Sequence, residues 1–294
     1  MSKFPEGVLS PGRRLHQAWE RSTLAVPGVF NALVGRMAER LGFQAIYLSG
    51  AALSASLAVP DVGLVTLTEF VDAARAITSA TQIPLICDAD TGFGEALNVE
   101  RTIRSLEAAG VAGLHLEDQQ LPKRCGHLSG KQLVDAQVMI AKLRAAAAAR
   151  RDTDFVLIAR TDARGVLGFE EAVRRAHLYV EAGADMIFPE ALESPEEFAT
   201  FARALHPVPL LANMTEFGKS PILDRKELGE LGYRIVLYPV TTLRVALKAV
   251  QTALLEIVAK GHQRDQLHHM LTRAQLYELL DYADYEERDR TYFG

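Results

Sequence analysis

Ala108-Ala109-Gly110-Val111-Ala112-Gly113, running straight into Leu114-His115-Leu116-Glu117-Asp118, holds the end of one element and the whole of the next. Val99 to Ala109 carries apolar residues at helical spacing, and Gly110 stands where a left-handed helix cap favours a residue without a Cβ. The run that follows is short and apolar, as a buried strand is. The same junction returns at Glu181-Ala182-Gly183-Ala184-Asp185, after the helical stretch Phe169 to Ala182 and before the apolar run Met186 to Ala191. A helix that ends in glycine and feeds a buried strand is half of a repeating strand–helix unit.

Outward from these junctions the unit recurs. Short runs rich in Val, Ile and Leu lie at Thr23 to Pro27, Ala45 to Gly50, Pro84 to Asp90, Gly113 to Asp118, Phe155 to Asp162, Met186 to Ala191, Pro209 to Met214 and Ile235 to Val240. Between them stand helical stretches such as Leu67 to Thr78 and Asp135 to Ala149. Alternating strand and helix implies a parallel sheet, and eight units imply a closed (β/α)8 TIM barrel of class α/β. Residues 1–294 read as one barrel domain, with 262–294 a C-terminal helical extension. A barrel needs one helix after its last strand, here Thr242 to about Lys260. The further segment must pack on a partner subunit, as a swapped element, or on its own barrel mouth.

The composition excludes several classes. The chain has 294 residues, 49% hydrophobic and 23% charged, which is enough for a large core. A net charge of −5 with scattered basic residues gives no nucleic-acid footprint. The two cysteines, Cys87 and Cys125, cannot make a disulfide framework and suit a reducing compartment. Residues 1–30, which include Pro5, Pro11, Arg13, Arg14 and Glu20, have no apolar signal-peptide core, and no later run approaches a membrane span. The expected location is the cytoplasm, with no membrane partner.

In such a barrel the working face is the carboxyl end of the strands, where this chain puts its unusual polar residues. Tyr47 and Ser49 end the second strand, Asp88 and Asp90 the third, His115 and Glu117 the fourth, Arg160 and Asp162 the fifth, Glu190 the sixth, and Asn213 and Thr215 the seventh. Strand side chains alternate, so each i, i+2 pair shares a face and Asp88, Asp90 and Glu117 can converge at the mouth. Three gathered carboxylates repel one another unless a hard divalent cation joins them. Magnesium is the expected ion and manganese the alternative. Zinc is disfavoured because no His/Cys cluster has ligand spacing. Cys87 alternates away toward the helices, Trp19 reads as packing, and Gly92 and Gly94 read as a turn. His16, His177, His206, His262, His268 and His269 read as surface or structural histidines.

Beyond the fourth strand, Lys123-Arg124-Cys125-Gly126-His127 places two cations, a thiol, a flexible glycine and an imidazole in five positions. The neighbouring cations should favour the Cys125 thiolate. The exposed polar run 119–131, with Gly126 and Gly130, reads as a lid whose Lys123, Arg124 and His127 attract an anionic ligand, and Lys123, Arg124 and Lys131 as its protease-sensitive points.

These motifs, with Asp88-Ala89-Asp90-Thr91-Gly92-Phe93-Gly94, resemble the isocitrate lyase and phosphoenolpyruvate mutase superfamily, and within it the branch that cleaves 2-methylisocitrate. The resemblance extends over almost the whole chain, through Tyr47-Leu48-Ser49-Gly50, Pro60-Asp61, Ala159-Arg160-Thr161-Asp162, Phe188-Pro189-Glu190-Ala191, Ala212-Asn213-Met214-Thr215, Tyr238-Pro239 with Arg244, and Thr272-Arg273. It implies reversible cleavage of (2S,3R)-2-methylisocitrate to pyruvate and succinate in the methylcitrate cycle of propionate breakdown, by a homotetramer acting on a di- or tricarboxylate. It also implies that Asp88 and Asp90 hold magnesium, with Asp61 and Glu117 in its water shell. Ser49, Gly50, Ala51, Arg160 and the backbone at Cys125 and Gly126 would hold the pyruvate half. Glu190, Asn213, Met214, Thr215, Arg244 and Arg273 would hold the succinate half. Cys125 would be the general acid, with Lys123, Arg124 and His127 beside it, and Tyr47 or a hydroxide at the metal the base. The alternatives are isocitrate cleavage, decarboxylation or hydrolysis of an oxaloacetate-like acid, a phosphonate mutase, and a catalytically silent binding barrel.

Overall fold

The computed structural model describes residues 9–294, so the first eight, Pro5 among them, lie outside the described residues. Eight parallel strands close into a barrel in chain order: β1 (Leu24–Val29), β2 (Ile46–Leu48), β3 (Leu85–Asp88), β4 (Gly113–Glu117), β5 (Val156–Thr161), β6 (Met186–Pro189), β7 (Leu210–Asn213) and β8 (Tyr233–Tyr238). Pairing of Leu24 with Ile235 joins β1 to β8. Each expected apolar run overlaps a strand, which confirms the (β/α)8 reading; six contain theirs whole, whereas β1 runs two residues past the expected Pro27 and β8 begins two residues before Ile235.

Alternation along the strands divides the core in two. Val26, Tyr47, Ile86, Ile158, Phe188, Leu211 and Ile235 fill the barrel, whereas Leu48, Cys87, Leu114, Leu157, Ile187 and Val236 face outward onto helical residues such as Phe70, Ile103, Met139, Tyr179 and Phe198. Cys87 is therefore a small hydrophobe, and burial pushes its thiol up. Gly110 and Gly183 have φ of +84° and +109°, the left-handed caps expected of them. Both follow helices, Ala96–Ala108 and Phe169–Glu181, that lie before β4 and β6.

Helix Pro11–Arg21 starts with the Ser10 side chain accepting from the Arg13 amide at 3.1 Å and Pro11 in the first turn. Its Leu15 and Trp19 join the cluster inside the barrel, and with Leu24, Ala45, Ala112 and Val156 at the strand beginnings they seal the amino-terminal end. The open end is the other one.

Two compact units divide between Leu243 and Arg244. The second holds the remainder of helix Thr241–Lys260, a short 3-10 segment Arg264–His269, and helices Arg273–Leu279 and Tyr282–Phe293. Leu247, Val250, Leu254, Leu255 and Val258 on its first helix are each more than half exposed. Among the described residues no helix is long and apolar enough to cross a membrane.

Trp19 is 5% exposed, so Trp19→Ala should leave a cavity at the sealed end and cost about 3–5 kcal/mol of stability. Denaturant unfolding should show a lower midpoint with an unchanged slope; a loss below about 1 kcal/mol would mean that the plug is dispensable.

Candidate active site

At the open end, strand register stacks the polar residues in levels. Asp88 lies beside His115 and Glu117 beside Arg160. Asp88 is the last residue of β3, whereas Asp90 follows in a turn with φ +44°, a left-handed conformation that Asp tolerates. The Asp90 amide donates to Asp88 Oδ1 at 3.0 Å, and the Gly50 amide to Asp88 Oδ2 at 3.1 Å. A turn, rather than continued strand alternation, sets these two acids relative to one another.

Burial opposes ionisation of Asp88, yet His115, Lys123, the Asp90 amide and Arg160 outweigh it and hold the carboxyl down, at about 2. Asp90 goes the other way, to about 6, through burial and the charge of Asp88. Burial also pushes Glu117 well up; its Oε2 meets Arg160 Nη1 at 3.1 Å while Oε1 has no hydrogen-bond partner.

Six buried acids, Asp88, Asp90, Glu117, Asp118, Asp162 and Glu190, stand at or just past the strand ends. Four buried cations, Lys123, Lys131, Arg160 and Arg175, form ion pairs with five of them. Asp88 has His115 instead, with Nε2 at 3.5 Å, and burial pulls that imidazole down toward its neutral form. The set is short of positive charge by about one divalent ion, and its hard oxygens, including the unpartnered Glu117 Oε1, fit such an ion. Among the described residues no three His, Cys, Asp or Glu side chains form a metal group by themselves.

Lys123 does not ride exposed on the loop. It is 3% exposed and its ammonium lies 2.8 Å from Asp90 and in an ion pair with Asp61. Asp61, expected in a water shell, is therefore a partner of Lys123. Lys131 is buried as well, which removes two of the three expected protease-sensitive points. Arg124 turns outward: its Nη1 donates to the Ser129 carbonyl at 3.3 Å, and Gln119 holds its backbone from both sides. The segment is fastened across the mouth rather than displayed as a free run.

Cys125 also departs from expectation. Its thiol is pushed up, first by desolvation among the loop atoms and then by Glu190 and Asp61, against the opposing His127 amide and Arg160. Lys123, two residues before it, is spent on Asp61 and Asp90, and Arg124, next to it, turns outward. The group is held as a protonated thiol, which suits a proton donor. Gly126 is buried beside it, and a Cβ there would run into Glu190 Oε1 and Arg160 Nη2. Only glycine lets the loop approach so closely.

Tyr47 likewise contradicts its reading as a base. Its hydroxyl lies 2.7 Å from His115 Nε2 and 3.2 Å from Asp88 Oδ2, and burial followed by the charge of Asp88 holds the phenol protonated, as a donor. Ser49 caps helix Gly50–Ser56, its Oγ accepting from the Ala52 amide at 3.3 Å, and Ala51 is half-buried behind it.

Glu190 is the hub of the far wall. His127 Nε2 lies 3.2 Å from its Oε1, Arg160 Nη2 3.8 Å, and Asn213 Nδ2 3.2 Å from Oε2. His127 Nδ1 accepts from the Lys219 amide at 2.9 Å, which puts the ring proton on Nε2, close to Glu190 but in no hydrogen bond with it. Despite burial, Arg160 and His127 hold the Glu190 carboxyl low. As an anion it would repel a substrate carboxylate, so it acts by orienting those donors. Asn213 Oδ1 is left without a partner.

Met214 is a correction. One residue past Asn213, its side chain joins the outer core and its Sδ accepts from the Leu223 amide at 3.3 Å. Thr215 is half-buried just beyond β7. Arg244 and Arg273 stand in the C-terminal unit, on helix Thr241–Lys260 and at the start of Arg273–Leu279.

Three residues carry more of the site than the sequence revealed. His115 stands in the middle of β4, two positions before Glu117 at its end, a spacing that gave it the right face but no role. Asp162 pairs with Arg160 Nε at 3.0 Å and with Lys131 at 2.7 Å. Asp118 accepts from Thr161 Oγ1 at 2.8 Å, the Asp162 amide at 2.9 Å, Tyr179 at 2.8 Å and Arg175 at 3.1 Å. The signal for these last two was an acid at a strand end, which alone does not tell a ligand from a brace.

Residues 13–258 match the family described as phosphoenolpyruvate phosphomutase. A 2-methylisocitrate lyase of Aeropyrum pernix is 55% identical over 287 residues, 97% of this chain and 92% of that protein. The crystal structure of 2,3-dimethylmalate lyase, a member of the PEP mutase/isocitrate lyase superfamily, superposes with a TM-score of 0.91 at 35% identity, covering 98% of this chain and 97% of that one. Phosphonopyruvate hydrolase in complex with oxalate and Mg2+ gives a TM-score of 0.88 at 34% identity, covering 97% and 100%. The order of the strands, the acids at their carboxyl ends and these likenesses lead to one conclusion: the chain belongs to the PEP mutase/isocitrate lyase superfamily.

Proposed function

We propose that this protein is a carbon-carbon lyase that cleaves 2-methylisocitrate to pyruvate and succinate, with Cys125 as the general acid. The observation that carries the reading is the Cys125 loop, whose Gly126 packs directly on Arg160 and Glu190 above a nest of buried acids. High identity to a 2-methylisocitrate lyase over nearly the whole chain supports the substrate.

Asp88 and Asp90, with Glu117 beside them, would hold magnesium, an ion that the phosphonopyruvate hydrolase neighbour binds. When bound, a divalent cation supplies Lewis acidity toward the substrate's hydroxyl and adjacent carboxylate oxygens. Arg160, kept rigid by Asp162, offers Nη atoms to a carboxylate. The amide of Asn213 and the imidazole of His127, both aimed by Glu190, line the opposite wall. The substrate's hydroxyl proton passes by way of the Tyr47 phenol to the His115 imidazole 2.7 Å away; as the bond between the two halves breaks, its electron pair stays on the carbon that becomes part of succinate, and the hydroxyl carbon becomes the ketone of pyruvate. Cys125 gives that carbanion its proton. Closure of the loop keeps water away until the transfer is done. A decarboxylase or hydrolase of a small oxo acid needs no thiol there, and so Cys125 favours the lyase.

The exposed apolar side chains on residues 244–260 and the substrate class lead to the remaining parts of the reading: an assembly of copies, expected to be a tetramer, working in propionate breakdown in the cytoplasm. Analytical ultracentrifugation should find four chains per particle; a monomer at micromolar concentration would remove the assembly.

The function is tested by products. With magnesium present, 2-methylisocitrate should yield pyruvate and succinate in equal amounts, and isocitrate or oxaloacetate should turn over more slowly. Cys125→Ser should lower turnover by a factor of about 100 or more, since a serine hydroxyl is a far weaker acid, with substrate binding retained. Normal turnover in that variant would make the thiol a bystander, and faster breakdown of oxaloacetate would replace the lyase with a decarboxylase or hydrolase.

A further inference from the structure

Lys131 is a buried cation at the end of the loop that carries Cys125. Its ammonium stands 2.7 Å from Asp162 Oδ1 and donates to the Gly126 carbonyl oxygen. Asp162 cannot follow the loop. Its own amide is fixed on Asp118, which Thr161, Arg175 and Tyr179 hold in place. The same Asp162 carboxylate grips Arg160, at 3.0 Å to Nε and 3.2 Å to Nη2.

One fixed carboxylate thus sets two things: the guanidinium that faces Glu190 and, through Lys131, the loop peptide beside the thiol. A buried ion pair is a poor source of net stability, because the desolvation of both charges offsets most of their attraction. Its value lies in geometry, as the ammonium can satisfy Asp162 and the carbonyl together only when the loop is down.

We propose that Lys131 is a positioning residue for Cys125, a strap that fastens the loop to the carboxylate that also orients Arg160. The proposal rests on the reading of Cys125 as the acid of the lyase reaction. Asp162 keeps Arg160 when Lys131 is lost, so substrate recognition survives while the thiol loses its place.

The test is Lys131→Met in the full-length protein, with two readouts. Turnover of 2-methylisocitrate should fall by about tenfold or more with KM changed by less than about threefold, the signature of a misplaced reacting group. Alkylation of Cys125 by iodoacetamide, which needs no catalysis and reaches this exposed thiol while buried Cys87 is closed to it, should become faster, as a loosened loop loses the desolvation and the nearby Glu190 charge that keep the thiolate scarce. Lys131→Arg, which keeps a charge for Asp162, should recover turnover and the slow alkylation together. Should Lys131→Met fail to fold, Lys131→Gln, which keeps a donor but no charge, is read in the same way. Wild-type turnover in the neutral variant would overturn the strap. So would lost turnover with unchanged alkylation and no recovery in Lys131→Arg, since that pattern belongs to a general packing defect. If the wild-type protein fails to cleave 2-methylisocitrate, the lyase reading falls, and the alkylation arm still decides whether Lys131 fastens the loop.

Discussion

Arg160 is the interaction on which the mouth of this barrel depends. Three carboxylates, Glu117, Asp162 and Glu190, converge on one buried guanidinium from β4, from the end of β5 and from just beyond β6. Buried charges are costly unless paired and hydrogen-bonded, and a planar cation with five donors can serve three acids where an ammonium could not. Phe188, inside the barrel, lies against that cation, with the guanidinium carbon 5.2 Å from the ring centre. From this pairing follow the orientation of Glu190 and its donors, the grip on Lys131, and the half-partnered state of Glu117.

The acids left over divide the labour. Asp118 and Asp162 are braces, with their oxygens taken by protein donors. Glu190 directs donors toward the cavity. Asp88, Asp90 and Glu117 keep capacity for something that is not protein. Their tendency to ionise also differs in direction, Asp88 being held down and Asp90 and Glu117 pushed up by burial. Residues of similar chemistry at similar strand ends thus have distinct tasks, set by which neighbours already occupy their lone pairs.

Much of this was legible in the residues. Glycine caps at Gly110 and Gly183 and eight apolar runs gave the barrel, because strand alternation and helix capping are local effects. The positions of Asp88, His115, Glu117 and Arg160 at the mouth followed from the same alternation. What could not be read was where long side chains end. Lys123 looked like an exposed loop charge and instead reaches down to Asp61 and Asp90. Arg124, its neighbour, turns away, and desolvation, aided by Glu190 and Asp61, pushes the Cys125 thiol up against the opposing Arg160. Met214 was grouped with its neighbours in a motif although alternation places it behind the strand. Each error is a matter of direction over several rotatable bonds, which sequence spacing does not fix.

If the excess of buried acid is the seat of a divalent ion, binding favours the ionised form of carboxyls that burial pushes up, Asp90 first among them at about 6, and so releases protons near that pH. Calorimetric titration of the cation-free protein with magnesium near pH 6, in buffers of different ionisation enthalpy, measures both the affinity and the protons released. The account predicts one magnesium per chain with net proton release, and loss of that binding in Asp88→Asn. Failure of magnesium to bind, or binding with no proton released at that pH, would contradict it.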